Sequence, residues 1–171
     1  PNTVLTVVSS YPYALGEAKE LLPAILYTTH AGPELGNAVA DTLLGKNNPA
    51  ARCPITWYRS AQDLPDIMEY DIISAERTYL YDTIEPLFPF GHGLSYSSFV
   101  YRDFTAEEKP EGMLFRLTVE NTSQRDGDEV VQLYYRALHP RVKRPLRQLC
   151  GFQRVPVPAN TAVPVTIFVP W

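Results

Sequence analysis

The sequence predicts an α/β fold followed by an all-β one: an open α/β sheet, then a β-sandwich. Three observations carry that reading. Two short, nearly continuous apolar runs rich in β-branched residues, 4–9 and 24–28, are each followed by a helical stretch, as in a parallel sheet. After residue 97 the apolar period becomes two. Sixteen prolines in 171 residues, about twice the usual share, impose short elements and many loops.

Residues 4–9 (Val-Leu-Thr-Val-Val-Ser) read as a strand buried on both faces. A short helix over 16–22 stops at Pro23, and Ala24 to Thr28 form a second buried strand. The best helical signal follows. Pro33 stands where a first helical residue belongs, Leu35, Ala38, Val39, Thr42 and Leu43 fall on one face, and Gly45 stands just past the end. Two strands are too few to bury a sheet, so residues 1–60 read as the tail of a larger α/β domain. Residues 61–96, rich in tyrosine, proline and acids, read as a long ordered connection. From 97 to 171, three runs alternate: Phe115, Leu117 and Val119; Val131, Leu133 and Tyr135; Val163, Val165, Ile167 and Val169. Phe115, Leu117, Val119, Val131, Leu133 and Ile167 are the expected core. Asn121 to Gly127, ending in Asp-Gly, predicts a hairpin turn between the first two runs. Four or five strands are expected, fewer than the roughly seven of a complete sandwich.

Composition excludes several classes. At 45% hydrophobic and 20% charged residues the chain is neither disordered, collagenous nor a coiled coil. No run approaches the roughly 18 apolar residues of a membrane span, so no membrane partner is expected. The chain opens on Pro1 directly before a strand, which reads as a cut N-terminus without a signal peptide. Charge is uneven: residues 1–129 carry −10, and residues 130–171 carry +6 with no acid. The basic residues are interleaved with prolines and apolar positions, so no nucleic-acid partner is expected. They are expected instead to face the acids of 103–111 (Asp103, Glu107, Glu108, Glu111). Cys53 and Cys150 are neither a disulfide framework nor a metal spacing. Cys53 reads as a small core hydrophobe and Cys150 as half exposed. Two unpaired thiols lean towards a reducing, cytoplasmic compartment.

Several motifs have bland readings that outweigh the chemical ones. His92 between Gly91 and Gly93 reads as a structural histidine in a turn whose glycines supply positive φ. Gly-His-Gly-Leu-Ser is no nucleophile elbow, because its serine is not flanked by glycines as that motif requires. Gly32 and Gly36 at a helix start lack the lysine of a phosphate loop, and Asp126, Asp128 and Glu129 lack the spacing of a calcium loop. No metal or cofactor is expected. Tyr11, Tyr13, Tyr79 and Tyr81 could stack on sugar rings, but core or interface is the commoner use of tyrosine. Tyr11, His30 and Glu34 are the candidate substrate-binding residues, because they follow strand C-termini, where open α/β sheets place ligands.

Pro89-Phe90-Gly91-His92-Gly93-Leu94-Ser95-Tyr96 resembles the C-terminal signature of glycoside hydrolase family 3, the β-glucosidases and β-xylosidases. So do, in order, Pro1-Asn2-Thr3-Val4, Gly36-Asn37-Ala38-Val39-Ala40-Asp41 with Gly45 and Asn48-Pro49, and Arg77-Thr78-Tyr79. Arg125 to Tyr134 and the segment from Arg144 to Phe152 are similar to the family's fibronectin type III-like (immunoglobulin-like) domain. The resemblance covers nearly the whole chain. It implies the end of an open α/β sandwich domain, then an incomplete fibronectin type III-like β-sandwich, with a (β/α)8 barrel elsewhere. It implies a retaining β-glycosidase, whose two carboxyl groups stand about 5–5.5 Å apart. Neither family catalytic motif occurs here, so no residue of this chain is assigned a catalytic role. Glu34 matches in position an acid of the family's aromatic-Pro-Gly-Gln-Glu-Gly stretch; His30 departs from it. Expected partners are a β-linked oligosaccharide or aryl glycoside and the missing barrel, with a homodimer as a further option. Ile55 to Tyr58 with Arg77-Thr78-Tyr79 leans towards the xylosidases. The alternative is a stand-alone, non-enzymatic carbohydrate-binding or interaction module.

Overall fold

The computed structural model describes residues 2–171. Strands β1 (Val4–Val8) and β2 (Ala24–Thr28) pair in parallel, Val4 opposite Ala24 and Val8 opposite Thr28. The one-turn helix α1 (Ala18–Leu21) lies between them in sequence, and α2 (Leu35–Leu43) follows. In this two-stranded sheet Val4 and Val8 stay exposed, which corrects the expectation of burial on both faces. Gly45, at φ +73, closes α2 as expected. The helix start is later than predicted, because Glu34 takes the N-cap and Pro33 falls in the preceding turn. Of the predicted apolar face only Thr42 is buried; Leu43 is exposed.

Residues 61–96 contain a 3-10 turn at Ala61–Asp63, capped by Ser60, and the short helix α3 (Thr78–Tyr81). Its anchor is Trp57, 2% exposed, whose backbone bridges Phe88. The indole meets Tyr27 of β2 and Phe88 edge-on, with ring centroids 4.8 and 6.2 Å away. Cys53 is half-buried rather than a core residue. Its backbone N–H donates to His92 O at 2.7 Å, and its carbonyl accepts from Gly91 N at 2.8 Å. Two glycines permit that approach. Gly91 holds φ +82, and a Cβ on Gly93 would collide with the Ala51 carbonyl. Gly93→Ala is therefore expected to cost about 1–3 kcal/mol in thermal unfolding of the complete protein. Gly36→Ala, in a helix with open space around it, should stabilise by about 0.5–1 kcal/mol.

Five strands build the second half. β3 (Phe99–Lys109), β4 (Gly112–Asn121) and β7 (Ala162–Pro170) form one antiparallel sheet in the order β3-β4-β7. β5 (Gly127–Tyr135) and β6 (Gln148–Val157) form the other. The sheets close on Leu117, Val119, Val131, Val155, Val157, Val165 and Ile167, with Phe99 and Leu133 packed against them. Burying each such side chain contributes about 1.5–3 kcal/mol. Of the expected core, Leu117, Val119, Val131 and Ile167 are buried, Leu133 is partly so, and Phe115 is half-buried beside Phe104.

Two expectations are corrected here. Residues 122–126 do not make a hairpin, because β4 and β5 belong to different sheets. The crossover is organised by Asn121, fully buried, which donates to Arg125 O and Val157 O and accepts from Ser123 N. Next, the basic residues of the C-terminal part do not meet the acids of 103–111. Glu107 pairs with Lys109 and Arg116, whereas Lys143 pairs with Glu76 and Arg154 with Asp128. Finally, Tyr79 stacks on Phe90 at 4.1 Å and Tyr81 is buried, but Tyr11 and Tyr13 are exposed.

Candidate functional site

The parallel pairing of β1 and β2 brings the chain after each strand to the same edge of the sheet. At the end of β1, Ser9 is buried and its N–H extends the ladder to Thr28 O at 3.0 Å. Its Oγ accepts from Tyr11 N and donates to Tyr11 O, a tight turn that sends the Tyr11 side chain, 73% exposed, into solvent. After β2 the chain runs through exposed His30 to Gly32, whose φ of +81 turns it into α2. Glu34, at the N-cap, makes no cap bond with its side chain; its carboxylate instead accepts from Asn37 Nδ2 at 2.5 Å. Tyr11, His30 and Glu34 all follow strand ends at this edge and are exposed. This edge can offer donors, an acceptor and a ring face to a polyhydroxylated ligand, but no enclosed pocket.

Two concavities lie elsewhere and include none of the three. One, of about 400 Å³, is formed by Tyr58 and the connection, including Asp63, Leu64, Ser74, Glu76 and Asp82. Burial, then the Asp82 carboxylate nearby, pushes the Tyr58 phenol up to about 12. Asp82 Oδ1 accepts from Ile84 N, while Oδ2 is buried without a hydrogen-bond partner among the described residues. The second, about 170 Å³, is lined by Arg136, Arg144 and their neighbours. Among the described residues no cluster of His, Cys, Asp or Glu is placed to hold a metal ion.

Sequence reasoning missed the junction that fixes the edge relative to the sandwich. Asn48 Oδ1 accepts from Ser95 Oγ and Tyr96 N, and its Nδ2 donates to Ser97 Oγ and Asp126 O. Arg125 donates to Gly45 O and lies over the Tyr96 ring. Arg52 meets Glu129 at 2.6 Å, the side chains 12% and 10% exposed, and Tyr101 Oη donates to the same carboxylate at 2.7 Å. A signal existed. Glu129 is in phase with Val131 and Leu133, so an acid stands on the inward register and requires a buried cation.

His92 belongs to this junction. Its ring stacks on Phe88 at 5.1 Å, and Lys19 reaches over the same Phe88 to donate to Leu87 O. Burial, then the Lys19 and Arg52 charges, hold its pKa below the usual 6.5. The native state therefore disfavours a proton that the unfolded chain accepts. Stability should be lost as pH falls from about 6.5 towards the depressed native pKa. His92→Gln should flatten that acid limb in a denaturation series between pH 7 and 5. An unchanged slope would show that other groups set it.

Residues 1–96 match the glycosyl hydrolase family 3 C-terminal domain, more than half the chain. This chain belongs to glycoside hydrolase family 3. Residues 129–171 match a fibronectin type III-like domain, although the strands of that half begin at Phe99. Among curated relatives, a probable β-glucosidase J of Aspergillus fumigatus is 37% identical over 99% of this chain. A xylan 1,4-β-xylosidase of Xylanibacter ruminicola is 38% identical over 86%. The family 3 chain spans only 22% and 17% of those relatives' lengths. Among solved structures, β-glucosidase 3B of Thermotoga neapolitana superposes with TM-score 0.87 at 26% identity, over 98% of this chain and 26% of its own. A β-glucosidase of Erythrobacter marinus gives 0.81 at 33% identity, over 98% and 23%. The α/β-then-β-sandwich fold class expected from the sequence stands.

Proposed function

We propose that this chain is the C-terminal part of a retaining β-glycosidase that releases sugar from β-glucosides or β-xylosides, and that it supports an active site whose catalytic carboxylates lie outside it. The observation that carries the reading is the edge after β1 and β2. Tyr11, His30 and Glu34 follow the strand ends there, exposed, in a chain whose relatives are named as β-glucosidases and a β-xylosidase. We place the end of the α/β domain at residues 1–60, the connection at 61–96 and the sandwich at 97–171.

The chemistry divides accordingly. Retaining hydrolysis needs one carboxylate to attack the anomeric carbon and a second carboxyl to protonate the leaving oxygen, then to activate water. The loops at Tyr11–Gly16 and Thr29–Pro33 supply a wall beside that centre. Tyr11 offers a ring face to a pyranose. His30 and Glu34 offer hydrogen bonds to hydroxyls or to the loop that carries the acid/base.

The test is hydrolysis of aryl β-glucosides and β-xylosides by the complete protein and by residues 1–171 alone. The segment should show no turnover. His30→Ala and Glu34→Ala in the complete protein should each lower kcat/KM by about tenfold, the effect of one hydrogen bond of ~1.4 kcal/mol. Turnover by the segment that one of its own acids abolishes would overturn this division of labour. Unchanged kcat/KM in both variants would remove the edge from the active site.

A further inference from the structure

We propose that Lys19 is a positioning residue for the edge after β1 and β2: it pins α1, and through it the loop 11–16, to the carbonyl of Leu87 and the ring of Phe88. This rests on the reading above, in which that loop carries Tyr11 as part of a wall of the active site.

The loop needs an anchor at its far end. Its start is fixed, because Ser9 is buried at the end of β1 and its hydroxyl bonds to both the N–H and the carbonyl of Tyr11. Its finish runs through Gly16, at φ +56, into α1. Leu15 O accepts from Ala18 N at 3.1 Å, which ties the end of the loop to the helix. That helix is a single turn and buries none of its four residues. Glu17, at its N-cap, makes no cap bond with its side chain. One turn has no stability of its own, because helix nucleation is unfavourable; tertiary contacts must hold it in place.

Lys19 supplies them. Its Nζ donates to Leu87 O at 2.8 Å, 68 positions away, and stands 5.1 Å from the centre of the Phe88 ring. A lysine on an exposed turn ordinarily keeps its amino group in water. Here a charge-assisted hydrogen bond and attraction to the ring face take over part of that hydration.

What the lysine grips is rigid. Leu87 is 1% exposed, and its N–H donates to Trp57 O at 2.7 Å, while Phe88 O accepts from Trp57 N at 2.9 Å. The Phe88 ring is stacked by His92 at 5.1 Å. Next to His92, Gly91 O accepts from Gln132 Nε2 of β5 at 3.0 Å. The loop is thereby tied to the sandwich as well as to its own sheet. A second tie on α1, the Glu20–Arg59 pair at 3.4 Å, is solvent-exposed, and such pairs contribute little.

Steady-state kinetics of the complete protein on aryl β-glucosides and β-xylosides test the role. Lys19→Met keeps the aliphatic stem and removes the ammonium. It should raise KM about fivefold with kcat little changed, because a displaced Tyr11 loses binding common to the ground and transition states. Lys19→Arg, which keeps a cation with N–H donors, should restore most of that loss. In a Tyr11→Ala background Lys19→Met should add nothing further, since both changes remove the same contact. A lysine that only stabilised the fold would lower kcat at unchanged KM, through a smaller active fraction, and its effect would add to that of Tyr11→Ala. Either result would overturn the role. So would an unchanged KM in Lys19→Met beside a raised KM in Tyr11→Ala, which would leave the reading of the edge intact. Unchanged kinetics in Tyr11→Ala would instead remove the β1 loop from the active site, and the positioning role with it.

Discussion

Arg52→Met is expected to destabilise the β-sandwich by about 3–5 kcal/mol, because it leaves the Glu129 carboxylate buried without its cation. Tyr101 Oη would still donate to that carboxylate, but a neutral donor does not replace a charge. The informative comparison is the double variant Arg52→Met/Glu129→Leu. Replacing both members of a buried pair by apolar side chains is often neutral or stabilising, so most of the loss should return. Tyr101, half exposed, can turn its hydroxyl to water. Denaturation of the complete protein, following the transition that unfolds the sandwich, reads both values. A single variant that unfolds like the parent, or a double variant no better than the single, would show that the pair is not the junction's energetic centre.

Trp57→Ala should be comparably severe, at about 3–5 kcal/mol, since it removes the largest side chain that is nearly fully buried. Its effect should also be local. The indole joins Tyr27 on β2 to Phe88 at the end of the connection, so its loss should free residues 58–86 from the parallel pair. Limited proteolysis should then cut within the connection before it cuts the sandwich. Trp57→Phe should retain part of the packing and slow that cleavage. Cleavage spread evenly over both halves in Trp57→Ala would instead mean that the residue supports the whole chain.

The legible parts of the fold were those where one physical signal acts alone. β1 and β2 announced themselves by nearly continuous apolar runs, and β4, β5 and β7 by apolar residues at every second position. β3 was not legible: it is an edge strand carrying Arg102, Asp103, Glu107 and Glu108, and it bulges near Asp103, which holds φ +55. β6 was hidden by Gly151 and Pro156, and by a bulge opposite Leu133 and Tyr134. The Asp-Gly at 126–127 misled because a local turn signal cannot say which strand comes next. Asn121 decides that by bonding to both sheets. At the edge, topology alone put the segments that carry Tyr11, His30 and Glu34 after the ends of a parallel strand pair. The Asn48 and Arg52 junction depends on contacts across 47 to 78 positions of sequence, which no local pattern encodes.

The order of strands in the larger sheet governs how this half is made. β4 finds β3 at once through a tight hairpin, but its other neighbour, β7, emerges only after β5 and β6 have been synthesised. At about 5–20 residues per second that delay is on the order of seconds. Throughout it the inner edge of β4 carries unpaired amides, and the apolar side chains Leu117 and Val119 wait for partners on β6 and β7. A nascent chain at this stage is the form most exposed to intermolecular strand pairing, and a chaperone that shields the β3–β4 hairpin during translation would raise the yield more than one acting after release.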